Sequence, residues 1–230
     1  MRRSQQMIIK QLHNKGFTLI ELLIAMLISG VVISAIYSAY QSNMKAYITQ
    51  QRVVDMQQNI RAILFYMARD IQMAGYDPDN GKAGAGIIEA KSTTITFSMD
   101  TNENGTLDTG ETIIYEVDIN NNLTRNNGTN TPVLGQNVNV LDFVYLDKDG
   151  AVLPDTDANG VVDEMSDIIS IQISVLIQDG DSISQLAQNF TNNKIYNNQQ
   201  GTVLDDYSAH PDKFKRRLYS TEIKCRNFGL

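Results

Sequence analysis

The chain has 230 residues and a mass of 25.7 kDa, with 42% hydrophobic and 20% charged residues. That size suits one moderate globular domain with an accessory element, and the composition excludes collagen, a polar disordered chain and a polytopic membrane protein. Nineteen basic against 26 acidic residues give a net charge of −7 and an isoelectric point near 4.8, which weighs against general nucleic-acid binding, because phosphate contacts need a basic surface. A single cysteine, Cys225, excludes an intramolecular disulfide and a cysteine-rich zinc site. Two histidines, His13 and His210, leave little material for a histidine metal site or a Ser-His-Asp triad. Composition leans away from an enzyme.

Charge is unevenly distributed. Residues 1–16 hold Arg2, Arg3, Lys10 and Lys15 and no acid, and from Phe17 to Tyr40 the only charge is Glu21. A run of about 20 apolar residues is long enough to cross a bilayer as a helix. Basic residues before it predict a cytoplasmic N-terminus and a head on the far side. The run exceeds the roughly 7–15 apolar residues of a secretory signal, and no A-x-A cleavage site follows it promptly. A plain anchor would leave Glu21 unexplained. A carboxylate there costs about 2.5–3.5 kcal/mol on insertion scales and points to a function with a partner.

The segment Gly16-Phe17-Thr18-Leu19-Ile20-Glu21-Leu22 after a short basic leader resembles the class III signal of type IV prepilins and pseudopilins. The resemblance implies that a membrane prepilin peptidase cuts after Gly16 and methylates the new terminal amine of Phe17. It also implies that Glu21 pairs with the N-terminal amine of a neighbouring subunit. Glu21 lies about one helical turn (5.4 Å) beyond Phe17, and neither charge is stable unpaired in apolar surroundings. Snorkelling of Glu21 to the headgroups is the alternative for a lone subunit.

Residues 41–74 contain no Gly or Pro, and Val53, Met56, Ile60, Leu64, Met67 and Ile71 recur at spacings of three and four. They form one helix face, and Gly75 and Pro78 stop the run. One helix from about Phe17 to Ala74 is expected, roughly 85 Å long. The segment Ala68-Arg69-Asp70-Ile71-Gln72-Met73-Ala74-Gly75-Tyr76 resembles the end of the long helix in PilW-type minor pilins. More loosely, the C-terminal stretch from Tyr219 with its Arg226-Asn227 pair resembles the closing strand of that family, and Leu141-Asp142-Phe143-Val144-Tyr145-Leu146, followed by Asp149-Gly150, resembles that family as well.

After Gly75 the period becomes alternating. Residues 95–99, 113–117, 140–146, 169–175 and 219–225 read as strands, and the Asn-rich segment 120–131 and the polar segment 189–202 as irregular loops. The expected fold class is α+β, type IV pilin-like, with the long helix packed on an antiparallel sheet head. The expected organisation is a basic leader over 1–16, an apolar helix over 17–40, its amphipathic second half over 41–75 and a β-rich head over 76–230.

Two loops fit a calcium pattern. Asp100, Asn102, Asn104, Gly105 and Glu111 occupy every fixed position of D-x-[DN]-x-[DN]-G-x₅-E, with Thr106 and Asp108 at its seventh and ninth places. The Thr106 carbonyl would be the backbone ligand and Glu111 the bidentate closing one. Asp155, Asp157, Asn159, Gly160, Val161 and Asp163 repeat the first nine positions, but Ser166 stands at the twelfth, with Glu164 or Asp167 as substitutes. The first loop is therefore the stronger expectation. Oxygen-only ligands suit Ca²⁺ over transition metals. Solvated acidic turns are the bland alternative. Cys225 is expected as an inert buried thiol, and Lys213, Lys215, Arg216 and Arg217 as a solvated charge run.

These readings converge on a non-enzymatic minor pilin. It would be anchored in the bacterial inner membrane with its head outside the cytoplasm, and then built into a pilus. The implied partners are other minor and major pilins, the prepilin peptidase and the inner-membrane assembly platform, and not nucleic acid. The resemblance to GspJ offers a type II secretion pseudopilin as the alternative. A membrane-anchored enzyme or ligand-binding domain is the reading from another class; missing catalytic residues and the lack of a Gly-rich phosphate loop stand against it.

Overall fold

The computed structural model describes residues 16–78, 81–180 and 190–227. The leader up to Lys15, including His13, and the last residues Phe228, Gly229 and Leu230 lie outside them. The chain divides into two compact units, one ending at Tyr47 and one beginning at Ile48. A single helix, α1 (Leu19–Met73), contributes to both.

In the first unit every described residue is exposed, including Phe17, Leu19, Ile20, Leu23, Leu27, Val31 and Ile36. This part of α1 is long and apolar enough to cross a membrane by length and composition.

In the second unit α1 buries Met56, Ile60, Ile63, Met67, Asp70 and Ile71. The expected apolar face is there, with Leu64 partly buried. Ile63 and Asp70 join it because they sit at the intermediate positions of the same 3.6-residue period. The helix stops at Gly75, which takes a left-handed φ of 74°, a conformation that glycine adopts without steric cost. The Asn227 amide donates to the Ala74 carbonyl at 3.1 Å and to that of Gln72 at 3.5 Å, so Asn227 supplies a cap for otherwise orphaned helix carbonyls.

Ten strands follow. They are β1 (Ile87–Ala90), β2 (Ile95–Ser98), β3 (Thr112–Val117), β4 (Leu123–Asn126), β5 (Val133–Gly135), β6 (Val138–Leu146), β7 (Ser170–Gln178), β8 (Ile195–Asn197), β9 (Val203–Asp206) and β10 (Arg216–Lys224). A five-stranded sheet runs β1-β2-β3-β4-β5, a three-stranded one β10-β7-β6, and β8 and β9 form a ribbon. All pairings are antiparallel. The α+β architecture is as expected, with the head in three sheets instead of one.

The five longer expected strands are present, with shifted ends. Two expectations are corrected. The 120–131 segment holds β4, and the 189–202 segment holds β8. Both strands are too short and polar to show a period of their own, and pairing with β3 and β9 supplies what local propensity lacks.

One apolar cluster joins the helix face to both larger sheets: Ile60, Ile63 and Met67 with Phe97, Tyr115 and Leu123 on one side and Phe143, Ile171 and Ile173 on the other. Gly135 closes against it, since a Cβ there would stand 2.3 Å from Ile63 Cδ1. Cys225 is buried just past β10, and burial pushes its thiol up to about 12, as expected for an inert cysteine.

Candidate functional site

Three places carry the residues singled out above. At the N-terminal end of α1, Phe17 is 90% exposed. Thr18 and Glu21 form a reciprocal pair. The Thr18 amide and hydroxyl donate to Glu21 Oε2 at 2.8 and 2.9 Å, and the Glu21 amide donates to Thr18 Oγ1 at 3.3 Å. This is a capping box, in which two of the unpaired N–H groups at a helix start are met by side chains. Within one chain Glu21 therefore has local partners. Sequence reasoning missed Thr18, although the spacing T-x-x-E is the usual signature.

The first acidic loop is the tip of the β2–β3 hairpin. It has the backbone its pattern calls for: Gly105 has φ 75°, and Glu103 also lies in the left-handed region, at 61°. Its carboxylates, however, are turned onto backbone. Asp100 is fully buried and accepts from the amides of Glu103, Asn104 and Gly105 at 2.7, 3.3 and 2.9 Å. Glu111, 4% exposed, accepts from the amides of Thr101, Asn102 and Asp108 at 2.7, 3.1 and 2.9 Å and from the Thr101 hydroxyl at 2.9 Å. The Asp108 amide above all, with the donors from Thr101 and Asn102, holds the Glu111 carboxyl below its usual range. Asp108 Oδ2 accepts from the side-chain amides of Asn102 and Asn104 at 2.9 and 2.7 Å, and Asn104 Oδ1 accepts from the Thr106 amide at 2.9 Å.

The second loop repeats the backbone. Gly160 has φ 83° and Ala158 56°, and the Gly160 amide donates to Asp155 Oδ2 at 2.7 Å, as Gly105 does to Asp100. Its acids are arranged differently. Carboxylate oxygens of Asp155, Asp157 and Asp163 lie within 4.8 Å of one another, and all three residues are exposed. Among the described residues this is the one such group, and neither Glu164 nor Asp167 joins it. Asn159 Oδ1 is held by the Val161 amide at 2.7 Å, and the Thr156 hydroxyl and amide keep the Asp163 carboxyl below its ordinary range. The two loops thus differ in how closely their acids stand to one another. In both loops the carboxylates accept hydrogen bonds from their own loop, and in the second the acids Asp155, Asp157 and Asp163 also converge.

A model of the prokaryotic N-terminal methylation motif matches residues 12–37. A family model described as prepilin peptidase-dependent protein B matches residues 49–176, more than half of the 230-residue chain. The chain belongs to the prepilin peptidase-dependent protein B family. As a member of that family with a prepilin methylation motif, it is a type IV pilin-like structural subunit and not an enzyme. No curated protein matches the sequence. Among solved structures, the type IV-like pilin TTHA1219 from Thermus thermophilus is 16% identical, with a TM-score of 0.46, over 75% of this chain and 96% of that one.

Proposed function

We propose that the chain is a minor pilin that supports or primes assembly of a type IV pilus, in the manner of the PilW proteins its helix end and C-terminus resemble. The methylation motif over 12–37, which from Leu19 onward lies on an exposed apolar helix, carries this reading. In it, prepilin peptidase removes the leader 1–16, Phe17 becomes the methylated terminus, 17–40 anchors the subunit in the inner membrane and then in the filament, and 76–230 is the head outside the cytoplasm. Glu21 exchanges its Thr18 partners for the terminal amine of a neighbouring subunit. The other partners are minor and major pilins and the inner-membrane assembly platform.

A GspJ-like pseudopilin is the second reading. The description of the family this chain matches names only dependence on prepilin peptidase, a step that both machines share. Within either reading we assign Ca²⁺ to the loop of Asp155, Asp157 and Asp163, with Asn159 and the Val161 carbonyl completing an oxygen-only donor set.

Deleting the gene separates the machines. Loss of pili with secretion intact supports the minor pilin, and loss of secretion with pili intact supports the pseudopilin. Filament-associated protein should begin at methylated Phe17, and Gly16→Val should block cleavage. A mature protein that begins at Met1 or near Tyr40 overturns both readings.

A further inference from the structure

The three-stranded sheet has two edges, and they are treated differently. The outer edge of β6 is closed, with the Phe143 amide donating to Ser92 O at 2.7 Å and Tyr145 O accepting from the Leu153 amide at 2.9 Å. At the outer edge of β10 no such backbone bond is made among the described residues. Asp179 donates to Lys215 O and Cys225 donates to Ile169 O, each at 2.9 Å, which sets the alternation of the ladder between them. Bonded and non-bonded residues alternate in an antiparallel pair. Arg217, Tyr219, Thr221 and Ile223 therefore turn their N–H and C=O groups toward β7, and those of Arg216, Leu218, Ser220, Glu222 and Lys224 point away. Among the described residues no backbone partner meets the outward groups.

Natural proteins blunt an open edge with shortness, charged side chains, prolines, bulges or cover, and of these β10 carries only charge, at Arg217, Glu222 and Lys224. β1 carries a bulge and bonds to Val162, and β5 has 3 residues. β10 has 9 residues, no proline, and nine consecutive pairs with β7 without a register shift. Its charge is distinctive as well. In a chain of net charge −7, residues 213–226 hold six basic residues and one acidic one. Lys213, Arg217, Lys224 and Arg226 are exposed, and so is Glu222, which accepts from Ser170 and Gln172 at 3.0 and 3.2 Å. The Arg216 side chain, contrary to the expected solvated run, is buried against Asp212 at 2.6 Å and adds no free charge.

We propose that the outer edge of β10 is a docking site for an extended, acidic strand of a second polypeptide. The outward N–H and C=O groups provide the ladder, as in other strand-addition complexes, and the flanking lysines and arginines select acidic side chains. A second β10 would set basic ends against basic ends. A nucleic acid would use the cations and leave the ladder unmet.

The test uses the full chain in detergent and a fluorescent nine-residue peptide alternating glutamate and valine. It should bind at least tenfold more tightly than its lysine counterpart, and it should slow amide exchange at Leu218, Ser220 and Glu222. Ser220→Pro removes an N–H that faces outward, so the β7 ladder is retained while peptide binding falls at least tenfold. Ser220→Ala controls for the lost Ser174 hydroxyl contact of 2.9 Å and should bind like the wild type. Equal binding of the two peptides, unchanged exchange at the three amides, or displacement by a DNA duplex overturns the proposal. The exchange measurement is made on the wild type, so it decides the matter even if the proline variant does not fold. No filament is needed, so failure here leaves the subunit reading standing.

Discussion

Arg125 Nε on β4 donates to Asp70 Oδ2 on α1 at 2.6 Å, across 55 positions of sequence. The Tyr115 hydroxyl on β3 donates to the same oxygen at 2.9 Å. Asp70 is 5% exposed, so a charge is held inside the helix–sheet interface by these two partners, with Arg69 at 3.5 Å from its other oxygen. Burial first, and then the Asp70 charge, raise the Tyr115 phenol well above its ordinary range. The phenol stays a donor at every physiological pH.

Removing one member of such a pair strands the other. Arg125→Met should cost about 3 kcal/mol, since the buried carboxylate is left with the Tyr115 hydroxyl and the more distant, exposed Arg69. Adding Asp70→Asn should recover part of that loss, because the stranded charge is gone and the amide still accepts from Tyr115. Denaturant unfolding of the full chain in detergent measures both; a double variant less stable than Arg125→Met would refute the account.

Glu21→Ala should leave membrane insertion intact, because a charge costly to bury is removed. It should reduce incorporation into filaments by an order of magnitude or more. Glu21→Gln keeps an acceptor for the Thr18 amide but carries no charge for a neighbour's amine. If the glutamine variant assembles like the wild type, the capping box with Thr18 is what matters and the intersubunit pair is not.

Calcium should raise the melting temperature of the full chain in detergent over that in a chelator, with about 2.7 kcal/mol of stabilisation at a hundredfold excess over Kd. Magnesium should do less, because it demands a tighter octahedron. The trio Asp155, Asp157 and Asp163 should carry the effect, so Asp157→Asn or Asp163→Asn should remove most of the shift. Glu111→Gln should keep it. A shift lost with Glu111→Gln alone would return the site to the first loop.

Glu111 has its own signature in pH. Its folded pKa is lowered by the amide donors from Asp108, Thr101 and Asn102. Its contribution is therefore complete above the ordinary glutamate value, about 4.3, and is lost as pH falls through the lower folded value. Glu111→Gln should lower stability at neutral pH by about 1–2 kcal/mol and flatten the decline below pH ~4. Denaturant midpoints across that range test this; parallel wild-type and variant curves would contradict it.

What the sequence determined by itself was local or periodic. The apolar run with one acid, the 3.6-residue face ending at Gly75 and the alternation of 169–175 are set by neighbours along the chain, and they predict α1 and the long strands. Both calcium-pattern loops were also legible, down to the left-handed Gly105 and Gly160. Tertiary structure alone decided how the acids were used. Asp70 shares the helix face with Met67 and Ile71 by simple periodicity, but its partner sits on β4, a strand that exists through pairing with β3. Glu111 immediately precedes β3, where the hairpin brings the Thr101 and Asn102 amides to its carboxylate; Asp163 lies outside any strand and stays with Asp155 and Asp157 in solvent. The open edge of β10 belongs to the same class. A strand's sequence specifies which residues face the core, whereas which backbone edge is left unpaired depends on the order in which distant strands assemble.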